Sequence, residues 1–145
     1  MGTLSLPKTG RVYVDTAPVI YTVERKPDYE ALLQPLWDAM DAQSIEVVSS
    51  ELTLLETLVK PLKDGAQTLA RDYETFLTAT RLQLHPITAT ILKNAARLRA
   101  DANLKTPDAI HAATALATGC SQLITNDGDF RKVASLQIVI LKDVV

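Results

Sequence analysis

The sequence predicts an α/β fold, with helices on both faces of a central, largely parallel, five-stranded sheet in a three-layer α/β/α sandwich. Short apolar runs rich in β-branched residues recur along the chain, and longer helical patterns lie between most of them. Such alternation is typical of βα units, in which helices cover parallel strands on both faces. We therefore expect a single sheet whose strands are separated in the sequence by helices.

Five runs predict the strands: residues 11–14, 45–48, 82–85, 121–125 and 137–141. Six longer segments predict helices: residues 16–23, 29–42, 50–59, 66–80, 88–101 and 106–117. A further helical turn is expected from Asp129. The third helix is expected to end near Pro61, because proline lacks the amide hydrogen that a helix interior needs. Gly119 is expected to end the sixth helix, since glycine readily adopts the left-handed conformation found there.

The second helix has a clear apolar stripe at helical spacing. Its members are Leu32, Leu33, Leu36, Trp37 and Met40. Together, the segments 29–42 and 50–80 predict an apolar flank beyond what the sheet needs. We expect this flank to offer a surface to a partner chain.

Composition favours one folded domain of modest charge. The chain has 145 residues, of which 47% are hydrophobic. This is enough for a core, and we assign residues 11–145 to the domain and residues 1–10 to a flexible lead-in. A net charge of −2 does not favour a protein that coats nucleic acid, which would be strongly basic.

The sequence also favours a cytoplasmic protein with no membrane association. No stretch approaches the roughly 20 apolar residues of a membrane span. Residues 1–10 lack the apolar region of a signal peptide. Cys120 is the only cysteine, which fits a reducing compartment, and we expect it to be a packing residue.

Four acidic residues, Asp15, Glu56, Asp108 and Asp127, lie in four separate motifs. Each follows a predicted strand or lies near the start of a predicted helix, and such positions meet outside the carboxyl ends of the strands in an open α/β sheet. Carboxylates crowded at one edge repel each other unless a cation lies between them. Oxygen ligands favour Mg²⁺, for which Mn²⁺ can substitute. The sequence therefore predicts a metal-dependent phosphoryl-transfer site.

Each acid also has a purely structural explanation. Asp15 can cap the next helix, Glu56 can complete a capping box with Thr53, and Asp108 can favour a helix dipole. Asp127 lies in an Asn-Asp-Gly turn. The common location of the four acids is what favours the functional interpretation.

Other residues are predicted to support the acids. Thr16 and Thr125 can form hydrogen bonds with the acids or with a phosphate, and Asp129 can cap the turn after it or add another carboxylate. His111 lies one turn after Asp108 on the same helical face, and we expect it to pack beside the site rather than bind metal. With only two histidines in the chain, a histidine-rich zinc site is not favoured.

Four motifs, in this order, resemble those of the PIN-domain nucleases, and most closely the toxins of bacterial VapBC toxin–antitoxin pairs. They are VYVDT at 12–16, SSELTLLE at 49–56, DAIHAATA at 108–115 and LITNDGDF at 123–130. The likeness spans residues 11–141. Two departures accompany it: Ala17 replaces a residue that is often polar, and Pro18 is atypical there.

The resemblance implies a PIN fold, a metal-dependent endoribonuclease, a homodimer and inhibition by a small antitoxin protein. It implies Asp15, Glu56, Asp108 and Asp127 as catalytic residues, with metal held by Asp15, Asp108 and Asp127. One or two Mg²⁺ or Mn²⁺ ions would activate water for attack on an RNA phosphodiester. Candidate contacts to the RNA backbone are Arg97, Arg99, Lys105, Arg131 and Lys132.

Three other functions remain open from the residues. A PIN-like module could bind RNA or a partner without cleavage, although the four acids are intact. A DNA nuclease could use the same metal design. An aspartyl-phosphate phosphatase would also place an Asp after its first strand, but that chemistry needs a second Asp at the position of Ala17.

Overall fold

The structure, a computed structural model, describes residues 2–145 and contains one sheet of five parallel strands in that range. The strands are β1 (Arg11–Val14), β2 (Glu46–Ser50), β3 (Gln83–His85), β4 (Gln122–Thr125) and β5 (Gln137–Ile140). Their order across the sheet is β3-β2-β1-β4-β5. β1 therefore lies at the centre, and its neighbour β4 comes from more than 100 residues later in the chain.

Helices cover both faces of this sheet, as the sequence predicts. They are α1 (Thr16–Val23), α2 (Pro27–Asp41), α3 (Leu52–Lys63), α4 (Gln67–Thr78), α5 (Ala89–Ala102), α6 (Thr106–Ala117) and the short α7 (Leu141–Val144). A 3₁₀ helix, Gly128–Lys132, follows β4 at the predicted position. The predicted three-layer α/β/α class is confirmed.

The alternation of side chains along β1 divides the interior into two cores. Val12 and Val14 are fully buried in one core, together with the apolar stripe of α2. Tyr13 points the other way and is fully buried among residues of α5 and α6. Because Asp15 follows two residues after Tyr13, strand alternation directs its side chain toward the α6 side.

The predicted stripe of α2 is buried in full, but α3 keeps an apolar stripe of its own exposed. Leu55, Val59 and Leu62 are 60%, 52% and 66% exposed. Their spacing of four and three residues puts them on one helical face. This is part of the flank for which the sequence predicts a partner.

Most elements begin and end within two residues of the predicted bounds, and the ends of α3 and β5 differ for identifiable structural reasons. α3 runs through Pro61 and ends at Lys63, because a proline in the last turn removes only one helical hydrogen bond there. The last strand ends at Ile140, and Leu141 starts α7 instead of extending the strand. The Asn126 side-chain oxygen accepts a 2.8 Å hydrogen bond from the Lys142 amide, which fixes the start of that helix.

The segment before β1 contains no helix or strand over residues 2–10. Leu4 and Leu6 nevertheless pack against the core, and the Ser5 carbonyl accepts a 3.3 Å hydrogen bond from Gln122 Nε2. The flexibility expected of this segment stays a prediction. Cys120 is buried in the α6-side core, as expected of a packing residue. Among residues 2–145, none of the helices combines the length and apolar composition needed to cross a bilayer.

Candidate active site

Asp15 lies at the end of the central strand with its carboxylate buried and half satisfied. The residue is 7% exposed, and Thr125 Oγ1 donates a 2.5 Å hydrogen bond to Asp15 Oδ2. β1 pairs with β4 at this end, and the Asp15 amide continues the ladder to the Ile124 carbonyl at 3.3 Å. The other oxygen, Asp15 Oδ1, is buried and has no hydrogen-bond partner among residues 2–145. Asp15 precedes α1 but does not cap it through its side chain.

Burial sets the ionisation of Asp15. Removing its carboxylate from water disfavours the charged form and raises the pKa from 3.8 to about 6, against the opposing effects of His111 and the Thr125 hydrogen bond. The nearby Asp108 carboxylate raises the pKa further. A nearby cation would offset the cost of burial and favour the charged form.

Asp108, Asp127 and Asp129 form the closest group of acids. Each offers a carboxylate oxygen, and these three atoms lie within 4.8 Å of one another. Asp108 stands in the first turn of α6, and its Oδ2 atom is a second buried oxygen without a partner in the described range. Partial burial and the charges of Asp127 and Asp129 raise its pKa, despite opposing effects from His111 and Lys105.

The turn after β4 explains how two acids reach this group from one short segment. Asp127 Oδ1 accepts a 2.9 Å hydrogen bond from the Asp129 amide and so caps the 3₁₀ helix. Thr125 Oγ1 accepts a 3.1 Å bond from the Asp127 amide while it donates to Asp15. Thr125 therefore ties the turn to the central strand. From the sequence, Asp129 is a candidate to cap the segment that follows it. In the structure, Asp127 caps the 3₁₀ helix instead.

Glu56 reaches the site from α3. Thr16 Oγ1 donates a 2.7 Å hydrogen bond to Glu56 Oε1, and His111 Nε2 lies 2.7 Å from the same oxygen. Burial opposes ionisation, but these two hydrogen bonds outweigh it and lower the pKa of Glu56. Glu56 is thus held as a carboxylate by one contact from α1 and one from α6.

His111 is buried with both ring nitrogens engaged. It is 2% exposed, and its Nδ1 lies 2.7 Å from the Tyr13 hydroxyl. The two rings meet edge to face, with centroids 5.8 Å apart. His111 therefore contacts Glu56 directly, and its predicted supporting role stays a prediction.

Two buried hydrogen bonds of Ser49 in β2 link β1 to α3. Ser49 Oγ donates a 2.7 Å hydrogen bond to the Val14 carbonyl, directly before Asp15. Because its hydrogen is used there, Ser49 accepts from Thr53 Oγ1 at 2.8 Å. Ser49 and Thr53 are both fully buried. They fix the backbone on which Asp15 and Glu56 stand.

The structure places the predicted acids at one edge of the sheet, but they are not all equally close to one another. Asp129, expected only as a supporting residue, lies in the close group with Asp108 and Asp127, whereas Asp15 and Glu56 lie outside that 4.8 Å group. The catalytic and metal-binding roles of these residues stay predictions. Sequence reasoning missed Tyr13, although its place two residues before Asp15 puts it on the same face of β1.

The donor set fits a hard divalent cation. Three carboxylates converge, and two buried carboxylate oxygens, Asp15 Oδ1 and Asp108 Oδ2, have no hydrogen-bond partner within residues 2–145. A buried polar atom without a partner is costly, and a cation that accepts oxygen ligands would remove that cost. No histidine nitrogen is free for metal at His111, because both are engaged.

Some of the basic residues that the sequence suggests as RNA contacts already bind other groups of the protein. Arg131 pairs with Asp143, Lys132 lies 4.0 Å from Asp129, and Arg99 donates to the Leu104 carbonyl. Lys105 immediately precedes α6 and is close enough to lower the pKa of Asp108. A cavity of about 320 Å³ also adjoins Glu56, with Lys26 and Lys60 among its lining residues.

Comparison with protein families gives one match. The family model described as PIN domain matches residues 12–136. This range contains all four acids and both donor threonines. No curated protein matches the chain.

Solved structures share the fold. VapBC2 from Rickettsia felis, bound to a DNA fragment from its promoter, is 21% identical with a TM-score of 0.70, covering 89% of this chain and 98% of that one. A toxin–antitoxin complex from Klebsiella pneumoniae is 21% identical with a TM-score of 0.68, covering 90% and 97%. Mycobacterium tuberculosis VapC20, a Sarcin-Ricin loop cleaving toxin, is 18% identical with a TM-score of 0.69, covering 84% and 94%.

Proposed function

The chain belongs to the PIN-domain family, and on that premise we propose that it is a Mg²⁺- or Mn²⁺-dependent endoribonuclease that acts as the toxin of a toxin–antitoxin pair. One observation carries the proposal. Three carboxylate oxygens lie within 4.8 Å at the carboxyl edge of the sheet, beside two buried carboxylate oxygens that lack partners in the described chain. Such an arrangement is unfavourable without a cation and favourable with one.

The acids of the site have different proposed roles. Asp108, Asp127 and Asp129 offer the closest oxygens for a cation, and Asp15 adds a buried carboxylate whose pKa of about 6 permits ionisation near neutral pH. Glu56 is held ionised and accepts a proton or orients water at the reacting phosphate. A bound divalent cation supplies charge stabilisation for the phosphodiester and acidifies water.

RNA is favoured over DNA by the relative with a TM-score of 0.69, whose description names it a Sarcin-Ricin loop cleaving toxin. Two of the similar structures are described as VapBC or toxin–antitoxin complexes, which supports a small antitoxin protein as partner. These are properties of those proteins, and we extend them to this chain as part of the proposal, together with action in the cytoplasm.

A homodimer is supported by the exposed stripe of α3. Leu55, Val59 and Leu62 form an apolar ridge on one face of one helix. A twofold axis across such a ridge lets it pack against its own copy, as isologous interfaces do. We propose that a second copy of this chain covers it.

The test is cleavage of RNA by the purified chain, freed of any co-purifying protein. Total RNA is incubated with Mg²⁺, Mn²⁺ or EDTA, and fragment ends are mapped by sequencing. Asp15→Asn is the test variant. Asp41→Asn is the matched control, because Asp41 is exposed at the end of α2, which leads into the opposite edge of the sheet.

We expect discrete fragments with Mg²⁺ or Mn²⁺, none with EDTA, none from Asp15→Asn and unchanged fragments from Asp41→Asn. Fragments that persist in EDTA or in Asp15→Asn would contradict the proposal. Intact RNA in every lane, together with binding of RNA in a gel-shift assay, would favour the non-cleaving binding module. Cleavage of single-stranded or duplex DNA but not RNA would favour the DNA nuclease.

A further inference from the structure

His111 links the central strand to Glu56. Its imidazole is buried, with Nδ1 2.7 Å from the Tyr13 hydroxyl and Nε2 2.7 Å from Glu56 Oε1. Tyr13 is fully buried in β1, while Glu56 lies on α3 with about a quarter of its side chain exposed. The contact thus runs from the most central strand to a partly exposed acid on a different helix.

The chemistry of the carboxylate fixes the direction of the hydrogen bond between His111 and Glu56. A carboxylate only accepts, so Nε2 carries the hydrogen that binds Glu56. In the neutral imidazole, Nδ1 is then an acceptor, and the Tyr13 hydroxyl donates to it. Burial raises the pKa of Tyr13 well above 10, so its hydroxyl keeps that proton.

Both donors to Glu56 bind the same oxygen. Thr16 Oγ1 and His111 Nε2 each end on Oε1, whereas no hydrogen bond from residues 2–145 ends on Oε2. The arrangement fixes one oxygen and leaves the other without a hydrogen bond from the described residues. A glutamate side chain otherwise has several rotamers, and ordering it beforehand reduces the cost of reaching a reactive geometry.

We propose that Tyr13 and His111 form a buried positioning pair that holds Glu56 ready for phosphodiester cleavage, with Oε1 fixed and Oε2 presented to the reacting groups. The pair acts through Glu56 and touches neither the substrate nor the cation. This inference rests on the proposed nuclease function. A histidine that only fills space in the core would be indifferent to whether Glu56 is present.

A double-mutant cycle separates these roles. The variants are His111→Met, which keeps volume but removes the donor, His111→Gln, which restores an N–H near Nε2, and each of them with Glu56→Ala. Thr114→Val is the matched control, because Thr114 is a buried residue of α6 whose hydroxyl, within residues 2–145, bonds only to the Ile110 carbonyl of its own helix. Folding of every variant is checked by circular dichroism and urea unfolding. The substrate is a short RNA spanning a cleavage site mapped in total RNA.

Supporting groups of this kind change activity by about 10- to 100-fold. We expect His111→Met to lower kcat by that factor with nearly constant KM, and His111→Gln and Thr114→Val to stay close to wild type. In the Glu56→Ala background, His111→Met should have almost no further effect. An equal loss in both backgrounds, or a His111→Gln variant no better than His111→Met, would overturn the proposal.

Imidazole ¹⁵N NMR of the metal-free protein gives a readout independent of activity. We expect the proton on Nε2, protected from exchange in wild type and exposed in Glu56→Ala, and an altered Nδ1 shift in Tyr13→Phe. A proton on Nδ1, or an Nε2 resonance unaffected by Glu56→Ala, would overturn the pair. If the wild type cleaves no nucleic acid yet shows the expected NMR pattern, the nuclease proposal fails while the contact stands.

Discussion

Replacing Asp15 with Asn is expected to stabilise the metal-free protein at neutral pH while abolishing cleavage. Burial raises the pKa of Asp15 from 3.8 to about 6. At about 1.4 kcal/mol per pH unit, ionising this residue in the folded state costs about 3 kcal/mol. Asparagine carries no charge, and it keeps an oxygen to accept the Thr125 hydrogen bond. The side-chain NH₂ group of the asparagine would occupy the position of Asp15 Oδ1, which has no partner in the described chain. Burying this NH₂ group without a partner costs about 1 kcal/mol. The expected net gain is about 2 kcal/mol.

The sign of the pH dependence follows from linkage. Because the folded pKa of Asp15 is above its unfolded value, the folded protein binds the proton more tightly. This contribution to wild-type stability is complete below pH 3.8 and is lost as the pH rises through about 6. The advantage of Asp15→Asn should therefore be about 2 kcal/mol near pH 7.5 and close to zero near pH 4.5.

Urea unfolding in EDTA measures both values. The single tryptophan, Trp37, is buried in the core and reports unfolding by fluorescence. Asp41→Asn serves as the control for removing a charge at an exposed position. An Asp15→Asn variant that is less stable than wild type near pH 7.5, or whose advantage does not change between the two pH values, would refute the reasoning. At saturating Mg²⁺, the wild type should become more stable than Asp15→Asn, because only the ionised wild-type carboxylate gains binding energy from the cation.

Three further predictions concern neighbouring features. Millimolar Mg²⁺ or Mn²⁺ should raise the wild-type melting temperature by several degrees, and Asp108→Asn should reduce that shift, as measured by calorimetry; an equal shift in both proteins would contradict a site at Asp108. Thr125→Val should destabilise the protein by about 1–3 kcal/mol in urea near pH 7.5, because Asp15 Oδ2 loses its 2.5 Å donor; no loss would mean that the contact does not stabilise Asp15. Val59→Glu combined with Leu62→Glu should convert a dimer to a folded monomer in light scattering, and a monomeric wild type would exclude the proposed interface.

The predictable part of the molecule is the part governed by local patterns and by sheet geometry. Strand-like runs and a helical stripe were enough for the three-layer fold and for the burial of α2. The rule that strand ends meet at one edge places Asp15 near the end of β4, and Thr125 contacts it there at 2.5 Å. This proximity follows from adjacent strands, although the two residues are 110 positions apart.

The rest depends on tertiary contacts that no local pattern encodes. The backbone of the 3₁₀ helix brings both acids of the Asn-Asp-Gly-Asp turn, Asp127 and Asp129, close to Asp108. The sequence alone does not show which of the two acids lies there. The contact of Tyr13 with His111 depends on how α6 packs against β1, which the local sequence does not specify. β5 ends at Ile140, and the Asn126 side chain accepts a hydrogen bond from the backbone of Lys142 just beyond the strand.

Three of the predicted acids are each held by hydrogen bonds to one carboxylate oxygen. The Asp15 carboxylate is held through Oδ2, Glu56 through Oε1 and Asp127 through Oδ1, and in each case no hydrogen bond from residues 2–145 ends on the other oxygen. Of these three free oxygens, only Asp15 Oδ1 is buried, and there the missing partner is costly. One fixed oxygen gives the carboxylate a defined orientation, and the other keeps it available as a ligand or base. The fold therefore gives up stability at this edge in the metal-free state, and the cation that the site is proposed to bind would restore it.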